Sequence, residues 1–335
     1  MMNLVYNCDD NYAVHTAVSI TSVFENNMEE DKIFVYILGN GISEESCRKL
    51  ETVAEKYRTD TVVREIRVID LQEFEAALKL LFGDQLDAGR FTVTALARIF
   101  APQHLPDEVE RYLYLDCDTV VRCPLHELFS ADLEGKIAGM AAEPTIYPEV
   151  KEYLGLTGDM PYYNTGMMLV DRKAWEKAEI TGKCVDYYRS KKGRLPFSDQ
   201  DIINYVLKGN VRTLWQGWDF FANYHYRSWK SLCDQAAWFE KAQTKESYES
   251  AAADPAVVHF SGDERPWFNG NFNPYRADYE KYLSLTPWAG TPKIKGKEFH
   301  LFLYHLMNLV TAVFPTVRVW ISGRYYQNYR KKFGY

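Results

Sequence analysis

With 335 residues and a net charge of −7, the chain is long enough to bury a large core and too acidic for a general nucleic-acid binder. Apolar residues make up 47% of it, which excludes disorder, and its 24 Tyr, 18 Phe and 8 Trp lean towards a surface that stacks on flat ligands such as bases or sugars. The six cysteines (Cys8, Cys47, Cys117, Cys123, Cys184 and Cys233) show no C-x-x-C spacing, which predicts reduced thiols in a cytosolic protein rather than a disulfide scaffold.

MMNLVYNCDD carries no basic n-region and no long apolar run, so no secretory signal is expected, and MNLVYN reads as a first strand. It runs into NCDDNYA, placing Asp9, Asp10 and Asn11 where doubly wound sheets bind ligands. A carboxylate and an amide there can hydrogen-bond a base or ribose; alone, they would equally serve as a helix cap. Helices are expected near Ala13 to Asn26, Ser43 to Tyr57 and Leu71 to Leu81, and strands at KIFVYILG, TVVREIRVI and RYLYLD. Ser43 is placed to cap the second helix, with acids following it. Strands alternating with helices predict an α/β fold with a mostly parallel sheet.

FTVTALARIF puts Arg98 on an apolar helix, where a cation needs either a buried ion pair or a ligand. In RYLYLDCDTVV an apolar strand ends in Asp116 and Asp118. Alternation along a strand would turn both carboxylates to one side, leaving a metal site, a coupled carboxylate pair, or a polar strand exit in which Asp118 caps a turn. Further strands are expected at KIAGMAA, GMMLVD, VRTLW and AVVHF. Asn164 and Gly166 precede one of these, Asp199, Gln200 and Asp201 open a helix in FSDQDIINYV, and His259 ends AVVHF just before a loop with Gly262 and Arg265. Beside an Asp-x-Asp, that histidine is a natural third ligand for a divalent cation.

Residues 1–290 are expected to form one domain and 291–335 a helical basic tail. From Thr291 onward there are eight Lys or Arg and one acid, Glu298, so the tail carries +7 and the rest −14. Phe299 to Val317 lacks all four charged residue types. Up to Pro315 it offers about 24 Å of helix against a hydrocarbon core of roughly 30 Å, so residues 299–335 are expected to lie on a membrane surface rather than cross it, unless the helix merely covers the core.

Taken together and in order, NCDDNYA, TALARIF, YLYLDCDTVV, YYNTGMMLVD, SDQDIIN and HFSGDERPW resemble the motifs of retaining glycosyltransferases of family 8, over about residues 3 to 270. The resemblance implies the GT-A fold, a Rossmann-like sheet with helices on both faces. It implies a UDP-hexose donor (galactose or glucose), a glycan or lipid-linked acceptor of the lipopolysaccharide kind, and a cytoplasmic enzyme peripheral to the membrane. By the same resemblance Asp116, Asp118 and His259 hold Mn²⁺ or Mg²⁺ and Asp9 and Asn11 contact uridine. Arg98, Asn164 and Asp199 hold the donor sugar, Gly262 and Arg265 touch the diphosphate, and Asn7 and Cys117 complete the UDP-sugar site. Gln200, with Asp199, lies at the reacting carbon. Relatives commonly carry Lys where this chain has Arg265, and Asp263 and Glu264 put an acidic pair beside the diphosphate site.

Two other classes compete. A catalytically silent nucleotide-sugar-binding protein at the membrane would tolerate degraded ligands, yet all three metal-ligand candidates are present. A nucleotidyltransferase would need a Gly-rich basic loop after the first strand, where NCDDNYA is acidic.

Overall fold

The computed structural model describes residues 1–71, 73–82, 93–318, 320, 321, 323, 324 and 327. The expected alternation is present at the start: β1 Met2–Asp9, α1 Ala13–Asn26, β2 Lys32–Asn40, α2 Glu44–Tyr57 and β3 Val63–Asp70. The Ser43 hydroxyl caps α2 by accepting from the Ser46 N–H at 3.2 Å. The third helix, α3, spans Phe74–Phe82 rather than starting at Leu71, because the Leu71 N–H donates to the Gly39 carbonyl at 2.7 Å and extends the strand ladder first.

With β4 Arg111–Leu115, β6 Ala138–Met140, β7 Met167–Asp171 and β8 Val211–Thr213, these strands form a seven-stranded sheet in the order β3-β2-β1-β4-β7-β6-β8. It is parallel except for β7, which runs against β4 and β6. Alternate strand residues feed opposite cores: Leu4, Tyr6, Leu113, Leu115, Met167 and Leu169 pack towards α1 and α2, while Val5, Tyr112, Tyr114, Met168 and Val170 face the side of α4, Ala97–His104. A sheet covered on both faces accounts for strands that read as continuous apolar runs.

A second, three-stranded sheet joins β5 Thr119–Val121, β10 Val257–His259 and β9 Phe220–Phe221. AVVHF therefore belongs to this smaller sheet. Strand order reverses between β1 and β4, so the ends of those two strands, at Asp9 and Leu115, flank the topological switch point where ligands bind in such sheets.

The last long helix, Glu298–Val313, has an unusual polarity. It buries Leu301, His305, Asn308 and Thr311, whereas Phe299, Phe302, Leu303, Leu306, Leu309, Val310 and Val313 are exposed, Phe299 at 74% and Val313 at 70%. Its inward face is held by polar bonds: Tyr304 and Asn308 donate to Glu264 at 2.8 and 3.1 Å, and the Phe272 N–H donates to His305 Nε2 at 3.1 Å. Among the described residues no helix is long and apolar enough to cross a membrane. Of the basic residues expected in the tail, Arg330, Lys331 and Lys332 lie outside the described residues.

Candidate active site

Asp116 and Asp118 do not lie on a strand. β4 ends at Leu115, and residues 116–118 form the turn into β5. The expected convergence is present, but a turn produces it rather than strand alternation. The turn is tied down by the Asp116 N–H donating to the Gly166 carbonyl at 2.7 Å and by Thr119 Oγ1 donating to the Asp116 carbonyl at 2.8 Å.

Strand register then delivers His259. It pairs with Thr119, and the next residue, Phe260, donates its N–H to the Asp118 carbonyl at 2.7 Å. One ligand atom from each of Asp116, Asp118 and His259 falls within 4.8 Å of the others. His259 Nε2 is 3.1 Å from Asp118 Oδ1 and 3.7 Å from Asp116 Oδ2. The second oxygens are turned away: Asp116 Oδ1 accepts from Arg98 at 2.8 Å and from the Tyr114 hydroxyl at 2.9 Å, and Asp118 Oδ2 meets Arg265 at 3.2 Å.

Behind the imidazole, Asp219 Oδ1 is 2.9 Å from Nδ1 and its side chain is fully buried. β9 pairs with β10 and sets His259 opposite Phe221, whose ring meets the imidazole edge-on at 4.8 Å. Asp219, two residues before Phe221, thereby reaches the far side of the ring and directs Nε2 at the acids, as carboxylates behind metal-binding histidines do. Burial opposes a charge on His259, but Asp219 and Asp118 outweigh it and push its pKa well above the usual value. For Asp118 burial also opposes charge, and His259 and then Arg265 overcome it, holding the carboxyl below its usual range. Two carboxylate oxygens and an imidazole nitrogen facing one volume, with every remaining polar atom but Asp219 Oδ2 engaged elsewhere, fit a divalent cation of the Mn²⁺ or Mg²⁺ kind.

Arg98 resolves as a buried ion pair: its Nη2 bonds Asp116 and its Nε lies 3.0 Å from Asp199 Oδ2. Nη1 donates to the Thr165 carbonyl at 2.8 Å, and the guanidinium stacks 4.6 Å over Tyr114. Burial nevertheless raises the Asp199 pKa to about 6, Arg98 limiting the rise. The Asn164 amide reaches Gln200 Oε1 at 3.1 Å, the Thr165 N–H reaches the same oxygen at 3.3 Å, and Gln200 Nε2 donates to the Tyr162 hydroxyl at 3.2 Å. The helix carrying both, Asp199–Val206, is entered through Ser198 at φ +47°, a backbone state costly for a non-glycine residue.

These groups line one cleft of about 570 Å³, in the range of small-molecule sites. Asn7, Asp9, Arg98, Asp116, Cys117, Asp118, Asn164, Asp199, Gln200, His259 and Arg265 all contribute to its wall. Asn11, exposed on the turn after β1, and Gly262, at φ +64° with open space around it, do not. Asp9 doubles as a cap, accepting from the Tyr12 N–H at 3.0 Å. Of the acidic pair in the last motif, Glu264 faces inward to the tail helix, and Asp263 Oδ2 lies 3.0 Å from His300. The sequence reading missed Asp219, whose only signal is a carboxylate inside the aromatic run WQGWDFF, and Glu143, buried at the end of the KIAGMAA strand.

The family model for glycosyl transferase family 8 matches residues 3–270. General stress protein A of Bacillus subtilis is 28% identical over 88% of this chain and 98% of its own length. The lipopolysaccharide 1,3-galactosyltransferase of Salmonella typhimurium is 24% identical over 91% of this chain and 86% of its own. Among solved structures, the galactosyltransferase LgtC in complex with donor and acceptor sugar analogues superposes with a TM-score of 0.68 at 24% identity, over 85% of this chain and 96% of that one.

Proposed function

Since the chain belongs to glycosyl transferase family 8 and is a glycosyltransferase, we propose that it moves a hexose, galactose or glucose, from a UDP-sugar to a glycan or lipid-linked acceptor in the assembly of surface polysaccharide. The observation that carries this reading is the convergence of Asp116, Asp118 and His259 in a cleft at the switch point, with Asp219 buried behind the imidazole. Asp116, Asp118 and His259 would hold Mn²⁺ or Mg²⁺, which when bound supplies Lewis-acid stabilisation of the departing diphosphate.

The remaining roles belong to the chain itself. Asn7 and Asp9 take the uridine end, and Cys117, whose Sγ donates to the Asn7 carbonyl at 3.1 Å, ties that end to the Asp116–Asp118 turn. Arg98 acts mainly by orienting Asp116 and Asp199, and Asp199 with Asn164 holds donor hydroxyls. Arg265, 3.2 Å from Asp118, is the cation for diphosphate oxygens. Gln200 faces the reacting carbon with a carbonyl that already accepts two hydrogen bonds. An amide so engaged is a poor nucleophile, which favours front-face displacement with retention: Gln200 stabilises positive charge on the sugar, and the leaving phosphate takes the acceptor's proton.

A donor screen tests this. UDP release is expected from UDP-galactose or UDP-glucose, abolished by EDTA and restored by Mn²⁺; failure of every UDP-sugar both to bind and to hydrolyse would sink the reading.

We further propose that the enzyme is cytoplasmic and rests on the inner face of the cell membrane through residues 299–335. Support comes from the Glu298–Val313 helix, which directs Tyr304 and Asn308 to Glu264 and leaves Phe302, Leu306, Leu309 and Val313 exposed, and from the net charge of +7 that the sequence carries over residues 291–335. Replacing Leu306 and Leu309 together with Glu should lower affinity for phosphatidylglycerol vesicles on the order of tenfold or more. Unaltered co-sedimentation would refute the contact.

A further inference from the structure

One part of the cleft wall is not used by the reaction as described. There Thr145, Asn223, Arg227 and Gln235 line the same cavity as the acids. A chain of hydrogen bonds leads to it from Gln200: Asn164 reaches Gln200 Oε1 and Glu143 Oε2 at 3.1 and 3.4 Å, and Glu143 Oε1 accepts from the Thr145 N–H at 3.1 Å. The Thr145 carbonyl accepts from Gln235 Nε2 at 2.9 Å, and Gln235 Oε1 accepts from Arg227 Nη1 at 2.8 Å.

The three arginines of this cleft differ in one respect. Arg98 and Arg265 are each ion-paired to an aspartate, whereas among the described residues Arg227 has no carboxylate within 4.0 Å. Its Nε, like that of Arg265, is buried without a hydrogen-bond partner, and so is Oδ1 of Asn223, four residues earlier on the turn that precedes Arg227. Glu143, the acid that acts on Arg227, already accepts from Thr145, from the Tyr224 hydroxyl and from Asn164. The other charged neighbour is a second cation, Arg318, whose Nη1 bonds Asn308 Oδ1 at 2.9 Å. Burial, and then Arg318, lowers the Arg227 pKa to about 10. Arg227 is half-buried, and a cation partly withdrawn from water without an anion is destabilised; a ligand that brings the anion relieves this.

We propose that Arg227, with Gln235 and Asn223, forms an acceptor subsite that takes a phosphate carried next to the sugar hydroxyl to be glycosylated; this rests on the transferase reading above, which places the donor sugar at Gln200. The Arg227 guanidinium supplies the positive charge, and Asn223 Oδ1 supplies an acceptor for a neighbouring hydroxyl. The Ala222–Tyr226 turn that carries the subsite packs against the Glu298–Val313 helix, so a phosphate on a membrane lipid would enter beside the apolar face of that helix. A sugar phosphate monoester has the same chemistry and is the other source.

Ligand-observed NMR titration of the full chain in EDTA, where no divalent ion can recruit phosphate to Asp116 and Asp118, separates them. The probes are a hexose 6-phosphate and a hexosyl diphosphate on a ten-carbon isoprenoid, each against its neutral counterpart, the free hexose and the decyl hexoside. At least one phosphorylated probe is expected to bind ten times more tightly than its counterpart, and which one does so identifies the source. R227Q should erase that ratio and R227K keep part of it, with melting curves as the check on folding; should R227Q melt early, N223A must narrow the ratio instead. Equal binding of charged and neutral probes by the wild type overturns the subsite, as does a ratio that survives in R227Q. An equal loss of UDP affinity in R227Q with Mn²⁺ present would assign the arginine to the donor and overturn it too. Failure of the donor screen with the phosphate preference intact would instead remove the transferase reading and leave an anion site.

Discussion

Asp118→Asn is expected to lower UDP-sugar turnover on the order of 10³-fold, the equivalent of about 4 kcal/mol of lost stabilisation of the departing diphosphate. The substitution keeps the shape of the side chain and removes its charge. Asp118 gives one oxygen to the volume shared with His259 and Asp116 and the other to Arg265 at 3.2 Å, so the variant loses one of the three proposed ligands for the cation and leaves Arg265 without its partner. The depressed pKa of Asp118 gives a second readout. A carboxyl whose folded pKa lies below its unfolded value stabilises the fold above about pH 4 and loses that contribution as pH falls through the folded value. At pH 7 the metal-free variant should therefore melt below the metal-free wild type, and the gap should close in acid. Mn²⁺ should raise the melting temperature of the wild type and barely move that of the variant. Turnover within tenfold of wild type, still dependent on Mn²⁺, would remove Asp118 from the metal site.

The first half of the fold was legible because its signals are local. The apolar strands, the Ser43 cap and the helix spacing each depend on residues close in sequence, and β1, α1, β2, α2 and β3 follow them. The reversal of β7 was not legible, since MMLVD is as apolar as the strands it runs against and nothing in it records strand direction. The sheet to which AVVHF belongs was equally hidden: pairing with Thr119 and Phe221 joins residues more than a hundred and nearly forty positions away.

The same distinction holds at the site. Asp116, Asp118 and His259 were legible as residue types suited to one ion, and the structure brings them together, though through a turn that strand alternation does not describe. Asp219 was illegible, because its role depends on β9 lying beside β10. Arg98 was left between ion pair and ligand, and the ion pair that forms depends in part on Asp199, on a helix 101 positions later. The tail shows the opposite case. Its apolar content was plain, but Glu264 is what turns the polar side of the helix inward, and no periodicity within residues 299–317 could reveal that partner.

Gly166→Ala should cost about 1–3 kcal/mol of stability and, through a displaced histidine, roughly a hundredfold in turnover. The glycine is required for space and not for backbone freedom, since its φ is not among the positive ones. A Cβ at this position would lie 2.2 Å from His259 Cε1 and 2.8 Å from Nδ1, closer than any side chain can pack. The imidazole has no easy escape: Asp219 holds Nδ1, Phe221 covers its edge, and Phe260 anchors the next residue to the Asp118 carbonyl. The glycine cannot retreat freely either, because its carbonyl accepts from the Asp116 N–H and its own N–H donates to Asn164 Oδ1 at 2.7 Å. Whichever group gives way, one of the proposed metal ligands moves. A double-mutant cycle isolates the contact with the ring: in a His259→Ala background the added methyl should cost less stability, because the group it strikes hardest is gone and only the 2.8 Å approach to Asn164 Oδ1 remains. Equal costs in both backgrounds would show that the strain lies elsewhere in the 164–166 loop, and a variant that binds Mn²⁺ like the wild type would show that His259 is not held against Gly166.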